Sequence, residues 1–165
     1  MRGEIEKPFY IIGPKGISQK VNDLMAFAFG NLGSLKDYAN IEFIELESNE
    51  ELTINDYTLA SIDLIHGKAT PNYGYLLKKD EVIIGYTGDS TLCDNFVKMC
   101  ESANIIIVDT TRKEKSDKAH IGLVDLTNIA DQYANCKFYA VHRSDYELPT
   151  DSKVIFPQDG DEVEI

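Results

Sequence analysis

The sequence predicts a layered α/β fold whose sheet begins with antiparallel-looking strands. Three observations carry this. Residues 104–109 (NIIIVD) form a continuous apolar run of strand length, the pattern of a strand buried on both faces. The second half alternates strand, helix, strand, helix, strand, the order of α/β layers. The first half offers an alternating strand and a hairpin instead.

Residues 7–13 (KPFYIIG) are β-rich and stop at Gly13-Pro14-Lys15-Gly16, a strand followed by a turn. Ser18 is placed to cap a helix over 19–30, with Val21, Leu24, Met25, Ala28 and Phe29 on one face. Residues 41–47 (IEFIELE) alternate apolar and acidic, a half-buried strand, and 50–53 start a turn. A strand over 58–65 (TLASIDLI) ends at His66, and a loop over 67–72 follows. Residues 73–78 and 81–86 make a hairpin around Lys79-Asp80, and 91–102 a helix. After the apolar strand, 110–118 is a polar loop. A helix over 121–133 points Leu123, Leu126, Ile129 and Ala130 inward. Residues 137–141 (KFYAV) are a buried strand ending at His142, and 153–156 and 162–165 are short closing strands around Asp159-Gly160.

At 165 residues the chain is expected to be a single domain over 1–165, long enough to bury about 70 % of its unfolded surface. No apolar run approaches the ~18 residues of a membrane span, and MRGEIEKPFY lacks the apolar stretch of a signal peptide. A cytoplasmic location without membrane attachment is the expectation. Cys93, Cys100 and Cys136 lack CxxC spacing and read as small buried hydrophobes. A net charge of −12, with one basic cluster at Arg112, Lys113, Lys115 and Lys118, disfavours general nucleic-acid binding, which draws on clustered cations. A small phosphorylated substrate held through a metal is compatible with that charge.

The chain has three histidines: His66, His120 and His142. His66 and His142 follow strands directly, and so does Asp89 in VIIGYTGDST. Ligands gather beyond the carboxyl ends of strands in α/β sheets. Imidazoles and a carboxylate suit zinc, manganese or iron. Spacing alone favours reading each histidine as a surface or loop residue, and Asp89 as a turn residue or a cap for the helix near Thr91.

Taken together, FYIIGPKG, LIHGKATPNYGYLL, IIGYTGDST, IIIVDTT, KAHIGLVDLTNIA, FYAVHRS and FPQDGDEVEI resemble the second half of a metallo-β-lactamase-fold hydrolase. The branch they resemble is that of ribonuclease Z and phosphodiesterases, and they occur in family order over nearly the whole chain. The resemblance implies half of an αββα sandwich, a mixed sheet with helices on one side. It implies His66 as a ligand of one metal, Asp89 as the bridge between two, and His142 as a ligand of the second. His120, in KAHIG, corresponds to a non-ligand acid that contacts phosphate and protonates the leaving group. Zinc or manganese is the implied cofactor, in a two-metal site of which this chain holds part.

The family's H-x-H-x-D-H motif, which supplies most of the metal ligands, has no counterpart in these residues. The chain is therefore expected to be incomplete alone, with its exposed sheet face covered by a second copy or by a complementary N-terminal half. Ribonuclease Z also carries a long arm that grips transfer RNA. Here the two matching positions, His66 and Asp89, are only 23 residues apart in the chain, and a loop and hairpin fill the interval. A small phosphodiester such as a cyclic nucleotide is the favoured substrate. A non-catalytic truncated or interaction module retaining the half-fold is the alternative. Asp145 and Tyr146 carry no assigned role.

Overall fold

The computed structural model describes residues 8–30, 40–144 and 152–163. The chain divides into two compact units, Met1–Ser48 and Asn49–Ile165.

In the first unit, β1 (Phe9–Pro14) and β2 (Ile41–Leu46) pair in parallel, with Phe9 opposite Ile41 and Pro14 opposite Leu46. Helix α1 (Ile17–Phe29) lies between them in the chain. It starts two residues earlier than the sequence suggests. Gly16, at φ 86, precedes the first turn, and the Ser18 hydroxyl donates to Glu45 at 2.7 Å instead of capping. No residue of α1 is buried, and Leu24 and Phe29 of the expected apolar face are exposed.

The second unit is built on a seven-stranded sheet in the order β3-β4-β5-β6-β7-β8-β9. The strands are β3 (Glu51–Ile54), β4 (Tyr57–Asp63), β5 (Tyr73–Lys79), β6 (Val82–Tyr86), β7 (Ile105–Asp109), β8 (Lys137–Val141) and β9 (Val154–Ile155). Pairing is antiparallel from β3 to β6 and parallel from β6 to β9, so the sheet is mixed. In place of the expected turn at 50–53 the chain is strand β3. The reversal comes at Asn55, whose φ of 54 suits an asparagine in a tight hairpin. The hairpin around Asp80 forms as expected, with Asp80 at φ 51.

Parallel pairing needs crossovers, and α2 (Asp94–Ser102) and α3 (Leu123–Gln132) supply them. Alternate strand residues face these helices. Ile106, Val108, Phe138, Ala140 and Val154 pack with Phe96, Met99, Cys100, Leu126 and Ala130 in one buried core. Both helices therefore cover the same sheet face, as the half-sandwich requires. The opposite residues, Leu77, Ile84, Ile107, Tyr139, Val141 and Ile155, form the other face; Leu77 and Ile155 are exposed. The helices begin later than expected, because the loops before them are engaged in the site. Of the expected closing strand at 162–165, Glu162 and Val163 are not in a strand, and the rest lies outside the described residues, as do Asp145 and Tyr146.

Burial pushes the thiols of Cys100 and Cys136 up to about 12 and about 11, so both stay protonated at neutral pH. They serve as core atoms and not as metal ligands. Among the described residues no helix is long and apolar enough to cross a membrane.

Strand direction determines where loop side chains can gather. β4 and β6 flank the oppositely running β5, and β7 and β8 run parallel to β6. The carboxyl ends of β4, β6, β7 and β8 thus lie along one edge. The core behind this edge rests on fully buried side chains such as Phe138. Phe138→Ala is expected to cost about 3–5 kcal/mol, read as a lowered urea midpoint at unchanged m-value.

Candidate metal centre

Four strand ends deliver charged or imidazole side chains to that edge: His66 beyond β4, Asp89 beyond β6, Asp109 closing β7 and His142 just after β8. His120 comes from the loop before α3, since that helix begins only at Leu123. The ring centroids of His66 and His120 are 4.9 Å apart, and those of His120 and His142 5.6 Å. Ligand atoms of His66, Asp89 and His120 all lie within 4.8 Å of one another, and so do those of Asp109, His120 and His142. Asp89 joins the two sets, its Oδ1 standing 3.0 Å from His142 Nδ1. His120 thus belongs to both groups, although the family resemblance assigns it no place among the ligands.

Asp89 does not cap α2. That helix begins at Asp94 behind Cys93, five residues further on. Its own position is fixed through the main chain, where its carbonyl accepts from Asn72 Nδ2 at 3.1 Å. Two residues on, the Thr91 amide donates to Ile65 O at 2.8 Å, tying the Asp89 loop to the His66 loop. The side chain stays about half exposed, free to meet a cation.

Asp109 is the residue that sequence reasoning missed. Its carboxylate is 1 % exposed, and it accepts from the amides of Ser90 at 3.1 Å and Thr111 at 3.0 Å. His120 Nδ1 is 2.7 Å from its Oδ2. Because both oxygens already accept main-chain N–H groups, the ring nitrogen is the donor, which leaves His120 Nε2 as the working atom. The Thr111 hydroxyl lies 2.7 Å from Asp109 Oδ1 and 2.8 Å from the His142 carbonyl, so its single proton serves one of them at a time. His142 has φ 50, uncommon for a residue with a Cβ, and its Nδ1 also lies 3.6 Å from Asp109 Oδ1. The signal for Asp109 is in the sequence: IIIVD puts a carboxylate at the end of a doubly buried strand, just as IIGYTGD leads to Asp89.

His66 donates through Nδ1 to the Ala119 carbonyl at 3.0 Å, since a carbonyl can only accept. Its Nε2 is thereby presented as a lone pair, the arrangement found around metal-bound imidazoles. Three imidazoles and two carboxylates within ligand reach, two of the histidines with Nδ1 already committed as a donor, form a donor set that fits zinc, manganese or iron.

The loop holding His120 folds back tightly. A Cβ on Gly122 would meet Glu114 O at 2.3 Å and Ser116 N at 2.5 Å, so only glycine admits this return. Asp117 is held well below the usual carboxylate range by the amides of Ala119 and His120, and then by Arg112.

A family profile described as "Beta-lactamase superfamily domain" matches residues 1–143. Among solved structures, a diphosphatase of the PhnP family is 18 % identical, with a TM-score of 0.67 over 96 % of this chain and 59 % of its own. The metallo-β-lactamase fold protein YhfI from Bacillus subtilis is 16 % identical, with a TM-score of 0.65 over 87 % of this chain and 55 % of its own. The short form of human tRNase Z is 18 % identical, with a TM-score of 0.57 over 84 % of this chain and 61 % of its own. The chain thus spans between 55 % and 61 % of the length of these proteins. No curated protein sequence matches it.

Removing the buried carboxylate strands several donors. Asp109→Ala is expected to destabilise the fold by about 1–3 kcal/mol and to speed amide exchange at Ser90 and Thr111. Unchanged protection at those two amides would show that the carboxylate does not hold them.

Proposed function

Because the chain belongs to the β-lactamase superfamily, we propose that it carries one side of the active site of a metal-dependent phosphodiester hydrolase of the ribonuclease Z and phosphodiesterase branch. The observation that supports this most is the convergence of all three histidines with Asp89 and Asp109 on one sheet edge. His66, Asp89 and His142 would hold the cations, zinc or manganese, with Asp89 between them. Bound there, such cations lower the pKa of a coordinated water and offset charge on the phosphoryl oxygens.

The chain's own groups do the rest. His66 is oriented by Ala119 and would offer Nε2 to a cation. Asp89 offers its carboxylate beside the His142 ring. His120, steered by Asp109 through Nδ1, gives a proton from Nε2 to the departing oxygen. Asp109 touches no substrate and is a positioning residue.

A small phosphodiester, such as a cyclic nucleotide, suits this site better than transfer RNA. The β5–β6 hairpin and a short loop fill the interval between His66 and Asp89, and the net charge is −12. A second reading, a non-catalytic interaction module, draws on the missing H-x-H-x-D-H motif and on the chain spanning about half of its structural relatives. Metal analysis by mass spectrometry separates the two. The wild type is expected to retain zinc or manganese that Asp89→Ala loses, and to hydrolyse bis-(p-nitrophenyl) phosphate. His120→Ala is expected to lower kcat about 10²–10⁴-fold with its metal content intact. Equal metal contents in wild type and Asp89→Ala would discard the metal site.

The sheet face opposite α2 and α3 presents Leu77, Ile84, Ile107, Tyr139 and Val141. Leu77 is exposed and the others are half-buried, and an apolar face left partly open to solvent is suited to contact with another chain. A second copy of the chain, or a complementary N-terminal half, covers it in this reading. Sedimentation of the purified chain is expected to give a dimer at micromolar concentration; a monomer would remove the second copy.

A further inference from the structure

We propose that Asp117 is a positioning residue that sets His66 and His120 together, through the main chain of the loop between β7 and α3. The proposal rests on the reading of His66 as a metal ligand, and it extends that reading to a residue outside the cluster.

Asp117 Oδ1 accepts from the amides of Ala119 and His120, each at 2.8 Å. Its Oδ2 accepts from Arg112 Nε at 2.7 Å and from the second guanidinium nitrogen. The Asp117 amide donates to His120 O at 3.0 Å, closing residues 117–120 into a tight turn. Arg112 is itself anchored at the foot of α3, where its carbonyl accepts from Leu123 N at 2.8 Å. The carboxylate therefore pins the turn at both ends.

Both histidines take their places from that turn. The amide of His120 is one of the two donors to Asp117, so its backbone is fixed before its ring reaches Asp109. His66 never touches Asp117. Instead its Nδ1 donates to Ala119 O, and the next residue, Gly67, donates its amide to Lys118 O at 2.9 Å. The two peptide units whose N–H groups cap Asp117 thus carry the two carbonyls, of Lys118 and Ala119, on which the His66 loop rests. Thr91, two residues after Asp89, also donates its hydroxyl to Asp117 O. Partners of this kind around metal-bound histidines are worth about 10–100-fold in metal affinity.

The roles of the two carboxylate oxygens separate cleanly. Amide capping needs only an acceptor, which asparagine retains, whereas the contact with Arg112 needs the charge. Asp117→Ala is expected to bind zinc about 10–100-fold more weakly than wild type by calorimetry, and Asp117→Asn within a few-fold of it. Independently of any metal, long-range ¹⁵N NMR of the metal-free protein reports the His66 tautomer. Wild type and Asp117→Asn are expected to hold the proton on Nδ1, and Asp117→Ala to show a mixture of both tautomers. If the alanine variant does not fold, Asp117→Glu, which keeps the charge but moves the acceptor by one methylene, takes its place with the same expected loss. Wild-type zinc affinity and tautomer in a folded Asp117→Ala would overturn the proposal, and so would an asparagine variant as impaired as alanine. A wild type that binds no zinc, yet shows the tautomer change in Asp117→Ala, would overturn the metal reading and leave the positioning role standing.

Discussion

The site depends on one buried carboxylate. A charge taken out of water costs several kcal/mol unless its oxygens are fully engaged, so Asp109 constrains whatever surrounds it. Its partners come from three places: Ser90 in the loop after β6, Thr111 two residues on in the chain, and His120 eleven residues on. Satisfying Asp109 therefore draws the loop after β6 and both ends of the loop between β7 and α3 together at one point. Thr87, fully buried, completes the anchorage by accepting the Asp109 amide on its hydroxyl. His142 reaches the same place from β8. The charge that would be a liability in a core is here what orders an edge.

Strand direction explains why that edge can hold a site at all. With β4, β6, β7 and β8 running the same way, their carboxyl ends place residues from across the chain within a few ångströms. The apolar run 105–109 and its neighbours supply rigidity from behind, through Ile106, Val108 and Phe138. Chemistry carried on loops thus borrows precision from a close-packed core.

The strands were legible because period-2 alternation and doubly buried runs are strong local signals, and residues 137–141 fall where the sequence puts them. The membership of the metallo-β-lactamase fold was legible through short segments in order, and the half-sandwich with helices on one face followed from it. Helix starts were less so. Ser18 is a good cap residue by type, yet Glu45, twenty-seven residues away, takes its hydroxyl. By local spacing Asp89 reads first as a cap, but the Ser90 and Thr91 amides are drawn to Asp109 and Ile65, and α2 opens later. Asp109 and Asp117 went unassigned because their roles lie in partners distant in the chain or in the main chain, which side-chain motifs do not record.

The central claim is that the sheet edge is a metal-binding site made of these side chains. Anomalous diffraction from crystals of the chain grown with zinc tests it most directly. A peak is expected about 2.0–2.2 Å from His66 Nε2 and from a carboxylate oxygen of Asp89. A well-ordered edge carrying no anomalous density, with zinc bound elsewhere on the molecule, would contradict it.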